Sequence, residues 1–273
     1  ILLLILSKKL TDSNKIGSIS RDSFDKIPLN KSLGIICFSA CSLLFLIAFG
    51  LPFVQLLVWS DLSETFFSVP NIKLFMNSGF LGFFTASLIS ITALVLSLAY
   101  AGSTKMRGIF TVATIGYALP GSVIAVGLLI VINEIFGISI TSMGIFGLVL
   151  CLSIRFMTPA FQYLISSLEN IPESSKKALS TLPVNSIKAF TSLYLPSMRP
   201  AILVAFLVVF IEVVKEQPAT LILRPVGFET LSSKIYNFTS EGQWELAANP
   251  SLLLVMLSFI LVYFLNKRLD RNE

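Results

Sequence analysis

The run Asn170–Ile202, NIPESSKKALSTLPVNSIKAFTSLYLPSMRPAI, is the longest polar stretch between two strongly apolar segments of the chain. It holds four prolines, Pro172, Pro183, Pro196 and Pro200, and two short helical patterns that meet near Pro183. Ser174 to Leu182 is expected to form one helix. Pro183 suits the first position of a second, where its missing N–H is not needed. Leu195-Pro196, with Pro200 beyond, is expected to redirect the chain into the next apolar segment. A helix–turn–helix between two spans, at a membrane surface, is a docking element for a soluble partner.

The rest of the chain makes that surface a membrane. Of 273 residues, 55% are hydrophobic, and the mean hydropathy is +0.85. Several apolar runs approach or exceed the roughly 20 residues a helix needs to cross a bilayer. The net charge of +5 could serve nucleic acid, but the cations lie in loops between apolar runs, so membrane orientation explains them better. No histidine is present, which removes the commonest metal ligand and general base. Cys37, Cys41 and Cys151 lie in apolar stretches and read as small buried hydrophobes. Cys37 and Cys41 share a helix face but have no accompanying ligands. Gly102-Ser103-Thr104-Lys105 is not a phosphate-binding G-x-x-x-x-G-K-[ST] loop, and no such loop occurs elsewhere, so the chain is not expected to hydrolyse ATP.

Residues 1–32 read as the end of an apolar segment followed by a polar, Ser-rich linker. ILLLILSKKL at the start is similar to Ile260–Leu269, ILVYFLNKRL. A signal peptide would carry its charges before the apolar part. The chain is therefore expected to begin inside the last helix of an upstream repeat, with chance similarity of Leu-rich ends as the alternative. Six spans are expected over residues 33–268: Leu33–Trp59 with a kink at Gly50 and Pro52, Gly79–Ala101, Ile109–Ile132, Met143–Leu168, Ala201–Leu223 and Ser251–Leu265. Residues 269–273 form a tail. The second span is rich in Gly, Ser, Thr and Ala, as close helix packing requires. Arg224–Pro250 is a long loop with room for a re-entrant or surface helix.

An even number of spans puts both ends on one side. The linker, the Lys105/Arg107 turn, the polar loop and the tail carry fifteen Lys and Arg, whereas the three opposite loops carry three: Lys73, Arg224 and Lys234. Cytoplasmic loops collect cations, so the polar loop and both termini are expected in the cytoplasm.

Ionisable groups inside spans are functional candidates by default. Glu212 and Glu216 are four apart and share a helix face, with Lys215 beside them. They form either an ion cluster that orders the fifth helix or a charged lining of a pathway. Arg155 either snorkels or pairs with a carboxylate across the bundle. Pro120-Gly121 breaks the third span, as a packing kink or as part of a moving pathway.

The polar loop resembles the cytoplasmic EAA loop of the permease subunits of ABC importers, E-A-A-x-x-x-G followed by hydrophobic-x-L-P. Phe190, Leu193, Leu195, Pro196 and Pro200 stand where that pattern places them. Lys177-Ala178-Leu179 occupies the Glu-Ala-Ala position and Pro183 the glycine position. The resemblance implies that Ser174, Lys177, Ala178, Leu182, Pro183, Phe190, Leu195 and Pro196 belong to coupling helices that sit on a cytoplasmic ATP-binding subunit.

Lys215–Val255 is similar to the C-terminal region of iron(III) importer permeases, K-E-L-P-A-T-L-x-L-R-P and onward. It keeps Lys215, Glu216, Pro218, Ala219, Thr220, Arg224, Pro225, Phe228, Thr230, Tyr236, Ala247, Ala248 and Pro250, with Gln217 for the usual Leu. Tyr117–Gly127, YALPGSVIAVG, matches the same group, whose members are fused two-repeat permeases.

The resemblance implies an all-α polytopic permease in a bacterial inner membrane. It binds no cofactor itself; ATP is used by the partner subunit. An extracytoplasmic binding protein delivers ferric iron, and an upstream repeat or second permease copy completes the route through the lipid. Permeases for thiamine, sulfate, molybdate or polyamine share the loop. From another class, an ion-coupled transporter would use Glu212, Lys215 and Glu216 as a relay, and a membrane scaffold would use none of these.

Overall fold

A computed structural model describes residues 30–60, 66–102, 115–137, 143–181, 183 and 185–269. Among these residues the chain is helical and has no strand. It divides into two units, Ile1–Pro52 and Phe53–Glu273. The expected N-terminal repeat end, the linker up to Leu29, the Lys105/Arg107 turn and the tail lie outside the described residues, as does Leu182.

The first unit contains α1 (Lys31–Phe45) and a π turn, Leu46–Gly50, in which Phe45 stacks on Phe49. None of these residues is buried, and Cys37 and Cys41 are exposed where burial was expected. An apolar side chain facing lipid hydrocarbon gains nothing further from a protein core. α2 (Leu51–Trp59) follows without a break, so Gly50-Leu51-Pro52 does not end the helix. In a π turn each N–H reaches back five residues, and the widened turn leaves room ahead for the proline ring.

The second unit is built on α3 (Val69–Gly102), α5 (Ile145–Glu169) and α8 (Leu195–Lys215), which pack on one another. On α3 the residues Gly82, Ala86, Ile89, Ala93 and Ser97 recur at helical spacing and face inward, while Phe80, Phe83, Phe84, Leu88, Ile91 and Val95 face outward. Small residues inside and large apolar ones outside is the arrangement a bilayer favours, since lipid solvates the large side chains and close backbone approach holds the helices. At Gly82 a Cβ would lie 2.9 Å from Val214 Cγ2 and 3.0 Å from Phe210 Cε1, so α3 and α8 meet there. Several hydroxyls in the spans bond back along their own helix, as Ser87 Oγ does to Phe83 O (2.7 Å) and Ser153 Oγ to Val149 O (2.7 Å), while the buried Thr85 and Ser90 hydroxyls of α3 have no such bond. Such a bond satisfies a hydroxyl without water.

Several boundaries differ from expectation. α3 starts ten residues before Gly79, because Pro70 sits in its first turn and Leu74 is buried against the core. At 34 residues it is about 50 Å long, more than the hydrocarbon thickness. The third segment has a short 3-10 turn at Ile115–Ala118, and its helix α4 (Gly121–Phe136) starts only after Pro120.

Pro196 and Pro200 do not redirect the chain. A second π turn, Phe190–Tyr194, precedes Leu195-Pro196 as the first precedes Leu51-Pro52, and the helix continues into α8 with Pro200 inside it. The fifth span therefore starts earlier than Ala201 and stops at Lys215; α9 (Pro218–Leu223) is a separate turn of helix. Arg224–Pro250 holds a helix, α10 (Leu231–Ser240), and α11 (Ala248–Leu269) is longer than the expected last span. Among the described residues four helices, Lys31–Trp59, Val69–Tyr100, Ile145–Glu169 and Ile187–Lys215, are long and apolar enough to cross a membrane; Gly121–Ile135 and Ala248–Phe264 are shorter apolar helices.

Candidate functional site

Three features of the second unit carry candidate functional residues. The first is a buried clasp. α8 ends because Glu216 turns extended, at φ −68° and ψ 121°, ahead of Pro218, which opens α9. Glu216 thus leaves the face it was expected to share with Glu212. Its Oε2 lies 3.3 Å from Arg155 Nε of α5, and its Oε1 accepts from Ala219 N at 3.3 Å, capping α9. Its carbonyl accepts from Thr220 Oγ1 (3.0 Å) and Ser232 Oγ (3.1 Å). Arg155 Nη1 donates to Leu119 O at 2.9 Å, a carbonyl directed there by the break at Pro120.

Gly121 completes the clasp, since a Cβ there would stand 2.3 Å from Glu216 Oε1 and 2.9 Å from Arg155 Nη1. Pro120 and Gly121 are therefore brought to Glu216 by structure, across almost a hundred residues of sequence. Lys215 stays with Glu212 in a local pair, Nζ to Oε1 3.0 Å, on the half-exposed side of α8.

The neighbouring motif residues are also structural. Glu229 receives Arg224 Nη1 (3.3 Å) and Asn237 Nδ2 (3.2 Å) and pairs with Lys234 (3.4 Å). Thr230 and Ser233 form a capping box on α10. Asn77 Nδ2 donates to Glu229 O (2.8 Å) and Leu231 N to Ser78 Oγ (2.8 Å), tying α10 to α3. Glu229, Asn77 and Ser78 were not singled out from sequence; only the tertiary pairing reveals them.

The second feature is the loop. α6 (Glu173–Ser180) follows Pro172, with Lys176 Nζ 2.9 Å from Glu173 Oε1; this hydrogen bond holds the Glu173 carboxyl below its ordinary value. Ser174, Lys177 and Ala178 are exposed on it. Pro183 does not open the second helix. Asn185 does, its Oδ1 accepting from Lys188 N at 2.8 Å, and α7 is Ser186–Ala189. Phe190 and Leu195 are half-buried and Pro196 is exposed, whereas Ile187 is 73% exposed. Among the described residues of the loop, Ile187 is the large apolar side chain presented outward, and its place one turn before Phe190 was the available signal.

The third feature is a cleft of about 880 Å³ between α5 and α8, roofed by Tyr117. Thr158, Gln162 and Ser166 recur every fourth residue along α5, with Asn170 at its C-terminal cap, and line it, facing Ser197, Pro200, Ala201 and Val204 of α8. A polar stripe at helical period within an apolar span was legible in the sequence and passed over there. Among the described residues no three of His, Cys, Asp and Glu group as metal ligands, and none of the cleft residues is charged.

The comparisons agree with this architecture. Over 236 residues the chain is 26% identical to Fe(3+)-transport system permease protein FbpB 2 of Haemophilus influenzae, covering 84% of this chain and 46% of that protein. Over 122 residues it is 28% identical to the ferric transport system permease protein FbpB of Actinobacillus pleuropneumoniae, covering 45% of this chain and 18% of that one. The chain thus spans less than half the length of these relatives.

Its fold is similar to that of a chain in a bacterial ABC transporter involved in alginate import, at TM-score 0.66 and 15% identity over 88% of this chain and 96% of the other. It is also similar to a chain of the inward-facing MetNI methionine ABC transporter, at TM-score 0.54 and 18% identity over 72% and 90%. Residues 89–272, which include the clasp, the cleft and the loop, match the family described as binding-protein-dependent transport system inner membrane component. With two thirds of its length in that match, this chain belongs to the family of membrane components of binding-protein-dependent transport systems.

Proposed function

We propose that the chain is permease material of an ATP-driven importer of ferric iron, in which six segments cross the inner membrane and both ends face the cytoplasm. The observation that carries the cargo is the similarity to an Fe(3+)-transport permease over 84% of the chain, which includes the Lys215–Pro225 motif that supplies Glu216 to the clasp. ATP is hydrolysed by a partner subunit that receives α6 and α7. The binding protein docks on the opposite side, near α10. Ile187, Phe190 and the exposed face of α6 form the coupling surface, since an exposed apolar side chain next to Lys188 in water is an interface anchor.

The test is purification of the full-length parent protein from its membrane with what accompanies it. A co-purifying ATPase whose turnover rises with an iron-loaded binding protein is expected. An ATPase indifferent to iron would overturn the cargo, and no ATPase would overturn the importer. Within that assembly Ile187→Asp and Phe190→Asp should release the ATPase subunit while the bundle stays folded; normal transport by both would remove the coupling role. Against the ion-coupled alternative, among the described residues Glu216 pairs with Arg155 and not with Glu212 or Lys215.

A further inference from the structure

We propose that the groove between α3 and α8 holds an anionic phospholipid, with its phosphate on Arg199 and an acyl chain running toward Phe206. The inference goes beyond the importer reading and uses only the bilayer, neither the ATPase nor the cargo.

The two helices run antiparallel. Val214 and Phe210 approach Gly82, the Phe206 ring stands edge-on to Phe83 at 5.6 Å, and Arg199 shares a groove with Ser90 and Ile91. That groove, on the loop side of the Phe83–Phe206 ring pair, has a volume of about 410 Å³, within the range of small-molecule sites. Its apolar walls are Ile91, Ile202, Leu203 and Phe206. Ile91 is 63% exposed on the outward face of α3, so the groove opens away from the bundle core.

Two polar groups in it are left without partners. Arg199 is exposed and has no ion pair or hydrogen bond among the described residues. Ser90 is 4% exposed and its hydroxyl has no hydrogen-bond partner, whereas Ser87 and Thr92 bond back to their own helix. Ser90 follows Phe83 by as many residues as Arg199 precedes Phe206, about 10 Å along either helix, so the two groups stand at one level.

An arginine beside an apolar groove at membrane depth requires an anion or water. Basic pockets between membrane helices bind the headgroups of anionic lipids. A phosphate offers the guanidinium a bidentate, charge-assisted acceptor. The ester carbonyls of the lipid lie next to the phosphate, at the level of Ser90, and an acyl chain covers Leu203 and Phe206. A protein helix matches these features less well: Lys31–Trp59, the apolar helix that a second copy would bring, contains no Asp or Glu to set against Arg199.

The experiment uses the full-length parent protein, purified with what accompanies it and placed in phosphatidylcholine nanodiscs. The probe is a phosphatidylglycerol with a photoactivatable diazirine on its acyl chain. Irradiation should attach it to the peptides that carry Ile202–Phe206 or Ser87–Ile91, and unlabelled phosphatidylglycerol should compete where added phosphatidylcholine does not. Arg199→Gln should lower this labelling roughly fivefold, the weight of one cation at an anionic surface, and Arg199→Lys should retain most of it. Leu203→Trp, which fills the groove and leaves the cation, should remove it; Phe146→Trp on the exposed face of α5 should not.

Absence of the probe from both peptides would overturn the site. Equal competition by phosphatidylcholine, or labelling indifferent to Arg199→Gln, would overturn its preference for an anionic lipid. The competition needs no variant, so it decides the matter even where Arg199→Gln does not fold. None of these readouts depends on ATP turnover or on iron, and the site and the importer reading therefore fail separately.

Discussion

Two ion pairs lie one residue apart in this chain and behave oppositely. Lys215–Glu212 joins positions three apart on one helix, with side chains 48% and 32% exposed, and closes at 3.0 Å. Arg155–Glu216 joins residues on different helices, with Glu216 only 6% exposed, and anchors the start of α4, the middle of α5 and the α8–α9 corner. The first is a consequence of helix geometry. The second is a tertiary contact whose partners have no other ion pair among the described residues, so it fixes where three elements meet.

The most disruptive test of that contrast is Glu216→Gln, which leaves the Arg155 guanidinium facing a neutral amide in a mostly buried site. A loss of about 3–5 kcal/mol is expected for breaking one side of a buried pair, read as a fall in folded protein and in thermal midpoint in detergent. Arg155→Met with Glu216→Leu should recover part of it, because an apolar pair costs no charge burial. Failure of the single change to destabilise would reduce the clasp to the rank of its neighbour.

A smaller effect sharpens the geometry. Gly121→Ala places a Cβ into the space of Glu216 Oε1 and should cost about 1–3 kcal/mol, the usual range for overpacking a filled site. Gly127→Ala, where nothing lies within 4 Å, is the matched control on the same helix and should be neutral or better. Equal effects at the two glycines would mean that helix propensity and not the clasp decides. Smallest of all, Lys215→Gln should change stability by under about 1 kcal/mol, measured as the same thermal midpoint; a larger loss would mean the exposed pair has a partner in the assembled transporter.

The prolines repeat the lesson. Leu51-Pro52, Leu119-Pro120 and Leu195-Pro196 look alike in sequence. Two are absorbed by a π turn that ends two residues earlier, and the helix continues. The third begins a helix, with Gly121 against the clasp. The local sequence permits both outcomes, and packing selects between them.

By itself the sequence determined that the chain is helical and membrane-embedded, that a polar loop lies between two spans, and that a permease motif follows the fifth. These are consequences of hydrophobic runs and local spacing, which act over one helix at a time. Only the tertiary structure decided that Glu216 leaves its helix for Arg155, that the fifth span runs back through Pro196 to the loop, and that Asn77 and Ser78 hold α10. Those outcomes depend on which helices lie side by side, and a buried charge or an extended carbonyl finds its partner only once they do.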